Sequence, residues 1–184
     1  MNEKEIVKDG LKLKTLWKIY KWKDENDEVS KFLQQGGSIA QAIKAFGEPF
    51  GIEEIQGNIA LHEGLDELID LICGVGTPVK WDNTNAYLGV GDSSTAEADT
   101  QTGLQAATNK LYKAMDATYP QKATQIAEWR STFGSADANW AWEEYSVSNT
   151  SGGDSGKNLN RKIGAKGTKV AGESWTLSLK ITFS

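Results

Sequence analysis

The clearest pattern in the chain lies at its end. Trp175, Leu177, Leu179, Ile181 and Phe183 alternate with Thr176, Ser178, Lys180 and Thr182. Successive side chains of a strand point to opposite faces, so this alternation predicts a strand with one buried and one wet face. Near the start, residues 11–22 (LKLKTLWKIYKW) set lysines against Leu13, Trp17, Ile19 and Trp22 and predict a second long strand. With Trp17, Ile19, Tyr20 and Trp22, that strand is apolar on both faces. One half is expected to serve the core and the other a partner. Residues 30–47 read as helical, interrupted at Gly36-Gly37. Ser38 is placed to cap a helix through Ala40, Ile43 and Phe46, with Gly47 as its stop and Pro49 following.

Residues 61–73 (LHEGLDELIDLIC) form the best-marked helix. Leu61, Leu65, Leu68, Ile69 and Ile72 fall on one stripe, expected to pack on a sheet, and Gly74 ends it. From residue 77 the pattern turns to short strands: 86–91, 126–133 and 140–147, with 109–115 ambiguous between strand and helix. In 126–133, Ala127, Trp129, Ser131 and Phe133 share one face. In 140–147 the inward face switches from Trp140 and Trp142 to Tyr145 and Val147, as a β-bulge at Glu143-Glu144 would produce. Residues 149–158 read as a flexible hairpin loop. The predicted class is mainly β: an antiparallel β-sandwich with one packed helix and an N-terminal strand plus helical insertion. Residues 1–56 are assigned to the N-terminal strand and helical extension, and 57–184 to the β-sandwich domain.

Composition narrows this picture. Of 184 residues, 39% are hydrophobic, and mean hydropathy is -0.48. Seven tryptophans offset that modest share, because each can bury a large apolar area. Trp129 and Trp175 in particular are expected in the core. The formal charge of -5 argues against nucleic acid as a main partner, since phosphate binding needs a basic surface. The single cysteine, Cys73, allows no intrachain disulfide and is expected to be a buried thiol. The charged opening MNEKEIVKDG has no apolar signal-peptide core, and no apolar run approaches membrane-spanning length. The expectation is a soluble protein made in a cytoplasm, with no membrane partner.

Four clusters were weighed for chemistry. Gly91-Asp92-Ser93-Ser94 after AYLGV looks like the nucleophile block of GDS-type esterases, whose serine needs a histidine late in the chain. The one histidine, His62, lies upstream, so a polar turn after a strand is the better reading. Gly152 to Asn158 approaches a phosphate loop but is one residue short, puts Asn158 where Ser or Thr belongs, and precedes no helix. Asp82, Asn83, Asp92, Glu97 and Asp99 offer oxygen ligands for calcium without ordered EF-hand spacing. One His and one Cys leave zinc without a ligand set. Glu143 and Glu144 sit in or beside a strand, where an inward carboxylate is expected to find a salt bridge or hydrogen bond. No catalytic residue, cofactor or metal is assigned, and the chain is read as non-enzymatic.

One resemblance cuts across these readings. The succession GNIALHEGLDELIDLICGVG, NTNAYLGVGDSSTAEADTQTGLQAATNKLYKAMDATYP, WRSTFGSADANWAWEEYSV and NLNRKIGAKGTKVAGESWTLSLKITFS resembles a family of tailed-bacteriophage virion structural proteins. It is similar in order to the N-terminal domains of phage tail-collar fibres. The resemblance covers about residues 57–184, and the helical stretch 30–47 looks like an insertion into a shorter N-terminal strand region. It implies a protein of the virion, assembled in the host bacterial cytoplasm and homo-oligomeric there, with other virion proteins as partners. The short chain favours a capsid-associated decoration or minor capsid protein. A neck or tail protein, as a collar or fibre attachment, is the alternative. A carbohydrate- or host-binding module is a third reading, prompted by the tryptophans. Candidate partner-contact residues are Trp17, Ile19, Tyr20, Trp22, Phe32, Ile43 and Phe46.

Overall fold

A computed structural model describes residues 13–152 and 155–183. Strand β1 (Leu13–Lys23) is followed by helices α1 (Glu28–Gln34) and α2 (Ile39–Phe46), strands β2 (Gly51–Gln56) and β3 (Ile59–Ala60), and helix α3 (His62–Cys73). Seven strands complete the chain: β4 (Tyr87–Gly91), β5 (Lys110–Ala114), β6 (Gln121–Ala123), β7 (Ile126–Phe133), β8 (Glu144–Ser148), β9 (Asn158–Ile163) and β10 (Glu173–Phe183). They form two five-stranded antiparallel sheets, ordered β2-β1-β10-β7-β6 and β3-β9-β8-β4-β5. The fold is the β-sandwich that the alternation predicts.

The two long strands define the first sheet. β1 and β10 pair along their whole length, from Leu13 opposite Phe183 to Lys23 opposite Glu173. That register puts Trp17 beside Leu179 and Ile19 beside Leu177 on the inner face, all fully buried. β7 adds Trp129 and Phe133, and the second sheet answers with Leu88, Val90, Tyr145 and Val147. Trp142 stands between the sheets, edge-on to Phe133 at 4.8 Å and to Trp175 at 4.9 Å. Such tilted ring pairs add to the area each ring buries. Trp129 and Trp175 are in the core as expected.

Several expectations change. β1 is an inner strand of the first sheet, so a boundary at 56/57 would cut through that sheet. The inserted piece is 24–50, between β1 and β2. Ser38 caps α2 in a capping box with Gln41, and Gly47 ends the helix at φ 91°. α1 and α2 cover part of the outer face of the first sheet, so Ser174 and Thr176 are fully buried, although the alternation marks Thr176 as wet. The ambiguous segment 109–115 holds strand β5. The strand read at 140–147 begins only at Glu144, and its bulge falls between Ser146 and Ser148, not at Glu143-Glu144.

Helix α3 also departs from its pattern. It packs through Leu61, Gly64 and Leu71, while Leu65, Ile69 and Ile72 stand exposed. A Cβ at Gly64 would sit 2.4 Å from Leu159 Cα, so glycine is what lets the helix approach β9. Cys73, at the end of that exposed side, is exposed rather than buried. Residues 11, 12, 153 and 154, within the strand and loop read from sequence, lie outside the described residues.

Candidate interaction surface

Two buried ion pairs organise the outward side of the sandwich. The first joins β8 to β9. On β8, Tyr145 and Val147 face the core, so Glu144 and Ser146 face outward; the register sets Ser146 opposite Arg161. Arg161 Nη2 lies 2.7 Å from Glu144 Oε2, with both side chains fully buried. Isolated buried charges are costly, and here every neighbour offers a partner. Glu144 accepts the backbone N–H groups of Gln105 at 2.9 Å and Ala106 at 2.7 Å. Arg161 donates to the Thr95 carbonyl at 2.9 Å and to Gln101 Oε1 at 3.0 Å. The segment 92–106 is thereby fastened over the second sheet. Its first part is mostly exposed, as its polar composition implies, but Gly103, Leu104 and Ala106 are buried beneath it.

The second pair lies outside the first sheet. Arg130 Nε donates to Asp116 Oδ2 at 2.7 Å, both side chains being buried. Asp116 also accepts from the Thr132 backbone N–H at 2.9 Å and its hydroxyl at 2.8 Å. Arg130 Nη2 reaches the Leu33 carbonyl at 2.9 Å and the Gly37 carbonyl at 2.7 Å, the C-terminal end of α1. A cation there complements the helix end, where the Leu33 carbonyl also accepts the Gly36 N–H at 3.0 Å. Burial pushes the Asp116 carboxyl above its usual range, and the Arg130 guanidinium opposes that shift. Nearby, Asp27 accepts from the Ser135 backbone N–H, which holds its carboxyl below the ordinary value. Lys169 is buried against the Gly134 carbonyl at 2.7 Å and Asn139 Oδ1 at 2.8 Å. Burial draws its ammonium down to about 8.

The motifs read from sequence resolve into turns and pairs. Ser93 Oγ donates to Thr95 Oγ1 at 3.0 Å and accepts the Thr95 N–H. His62 is exposed and pairs with Asp99. Asp82 accepts N–H groups of Thr84 and Asn85, Asn83 donates to the carbonyls of Asp116 and Tyr119, and Asp92 accepts from Asn109. Glu97 accepts the Ile163 N–H and pairs with Lys162. The five candidate calcium ligands thus serve separate contacts, and among the described residues no three Asp, Glu, His or Cys side chains are placed to hold a metal ion. The glycine-rich loop leads directly into β9, with Asn158 N–H donating to Glu63. An inward carboxylate was expected at 143–144; Glu144 instead faces away from the core and is buried under the segment 92–106, with Arg161 as the salt-bridge partner.

The candidate partner-contact residues divide sharply. Trp17 and Ile19 belong to the core between the sheets, and Trp22 to a second small core with Val29, Leu33 and Ala42. These three offer no surface, because each is buried by other parts of the chain. Tyr20, Phe32 and Ile43 are half-buried against the small core, and Phe46 is exposed. Phe50 and Ile52 are exposed nearby in sequence, and α3 with its following turn exposes Leu65, Ile69, Ile72, Val75 and Val79. Arg130, Asp116 and Arg161 escaped the sequence reading. A charged residue inside an alternating strand, such as Arg130 within IAEWRSTF, was the available signal. Compared with protein-family models, with curated proteins and with solved structures, the chain matches none of them.

Proposed function

We propose that this chain is a structural component of a tailed-phage particle: a capsid-associated decoration or minor capsid protein that stabilises the shell through protein–protein contacts. The observation that carries the reading is a contrast. The buried charges are committed to fastening the chain's own segments, while large apolar side chains stand exposed on α3 and its following turn, and around Phe46, Phe50 and Ile52. Exposed apolar groups of this kind mark surfaces for association. The resemblance of residues 57–184 to virion proteins supplies the setting. A sugar-binding role would need exposed aromatic platforms, yet six of the seven tryptophans are buried and Trp140 is half-buried.

The test is quantitative mass spectrometry of purified particles, scaled to the major coat protein. Near parity, or a simple fraction of it, supports a place on the capsid lattice. Abundance far below parity moves the chain to the neck or tail. Absence from the particle overturns the proposal.

A further inference from the structure

Lys169 differs from the cations of the two ion pairs. It is fully buried, yet its Nζ donates to two uncharged acceptors, the Gly134 carbonyl at 2.7 Å and Asn139 Oδ1 at 2.8 Å. A buried cation is ordinarily held by an opposite charge. The backbone brings lysine and carboxamide together. Ala141 bridges to Thr168, and the Lys169 N–H donates to the Trp140 carbonyl at 3.0 Å. The carboxamide is also held at its other end, with Asn139 Nδ2 donating to the Ser135 carbonyl at 3.0 Å. The turn that carries it is closed by the Gly134 N–H on Asp137 Oδ2 at 2.9 Å and by the Asp137 N–H on the Gly134 carbonyl at 3.1 Å. An amine and a carboxamide 30 residues apart in the chain thus meet in one fixed geometry.

Burial draws the Lys169 ammonium down to about 8, while Asp137, Glu173 and Asp27 pull the other way and Lys113 adds to the fall. Near that pH a large share of the amine is neutral, and a neutral, desolvated lysine is a nucleophile. Amines attack amides slowly in water, but fixed proximity is worth effective concentrations on the order of 10⁵ M or more. We propose that Lys169 and Asn139 join in an intrachain isopeptide bond, formed by the chain itself. Nζ attacks Asn139 Cγ and a C–N bond forms. One proton passes from Nζ to Nδ2, the Cγ–Nδ2 bond breaks, and ammonia leaves. No oxidant or reductant takes part. Asn139 is exposed, so solvent can relay the proton and the ammonia has a way out. The bond ties the β7–β8 connection to the β9–β10 connection, the two places where the chain passes between the sheets on either side of the β8–β9 hairpin. Only the unlinked amine titrates, so any pH effect of Lys169 belongs to the chain before this step. The inference does not rest on a place in a particle.

The test is intact-mass spectrometry of the purified, folded full chain through a prolonged incubation, followed by tandem sequencing of a tryptic digest made under denaturing conditions. The chain is expected to become lighter by one ammonia, about 17 Da, as the new amide forms. The digest is expected to yield one branched peptide that carries both Asn139 and Lys169, uncut after Lys169. The loss is expected to speed up as pH rises through about 8, where the amine gives up its proton. Asn139→Ala, at an exposed position, and Lys169→Arg, which keeps a buried cation, are both expected to retain full mass. Fluorescence of the buried tryptophans checks that each variant is folded. The inference is overturned if the folded wild-type chain keeps its full mass throughout, or if the loss persists in folded Asn139→Ala. It is equally overturned if the loss sits in a linear peptide, which would mark closure of an asparagine on its own backbone.

Discussion

Glu144–Arg161 and Asp116–Arg130 are both buried ion pairs on the outward sides of their sheets, yet they hold their surroundings differently. In the first, both partners grip the same covering segment: the carboxylate takes N–H groups at 105 and 106, and the guanidinium takes acceptors at 95 and 101. In the second, only the arginine reaches the insert, at Leu33 and Gly37, while the aspartate is bonded to Thr132 on the sheet. A segment with no helix or strand needs both of its polar edges satisfied from below. A helical insert satisfies most of its own backbone and needs only its end capped. The same residue pair therefore acts as a clamp on one sheet and as a cap on the other.

That difference can be broken by substitution. Arg161→Met leaves Glu144 buried without its cation and is expected to have the largest effect, about 4 kcal/mol of lost stability in urea unfolding. Replacing Glu144 by Leu as well is expected to recover only part of it, because the 105 and 106 N–H groups then lose their acceptor. Arg130→Met is expected to lose about 3 kcal/mol, with Asp116 left buried without its cation and the Leu33 and Gly37 carbonyls deprived of the guanidinium. Its characteristic sign is local: heightened proteolysis within 24–50 while the sandwich persists. Beside Arg161 on β9, Asn160→Leu exchanges a carboxamide with no hydrogen-bond partner among the described residues for an apolar group of similar size. It is expected to raise stability by about 1 kcal/mol, read as a higher urea midpoint.

The smallest expected effect is that of pH, and it separates the cap region further. Asp27 lies below its ordinary 3.8, so its contribution is present above that value and is lost as pH falls through the folded-state pKa. The contact between α1 and Ser135 is expected to loosen there, and Asp27→Asn should flatten this part of the stability profile. Lys169 acts at the other end. Its folded value of about 8 lies below the ordinary 10.5, so between those values the unfolded chain binds more protons. Stability from this group should then rise with pH across that window, and Lys169→Met should remove the rise.

What the sequence disclosed was local. The alternation of Trp175 to Phe183 and the Ser38 cap rest on neighbouring residues, and both are present. The covered outer faces were hidden because they depend on contacts between distant segments. Thr176 obeys the same alternation as Lys180, and only α1 and α2 make one buried and the other half-buried. Leu65, Ile69 and Ile72 form a sound stripe, but Gly64 lets the helix approach through a different side, which leaves Cys73 exposed. The exposure of Phe46 was legible because it ends an amphipathic helix. Trp17, Ile19 and Trp22 were misplaced because a strand apolar on both faces reads alike whether its second face meets a partner or its own insert. Asn160 gave no sign, since a bulge decides where it points.

The most direct test of the clamp and the cap is hydrogen exchange of the wild-type chain beside Arg161→Met and Arg130→Met, under conditions where all three remain folded. Arg161→Met is expected to lose protection across 92–106, and Arg130→Met across 24–50, each leaving β1 and β10 protected. Loss spread evenly over both sheets, or unchanged protection in the two covering segments, would contradict the roles assigned to these ion pairs.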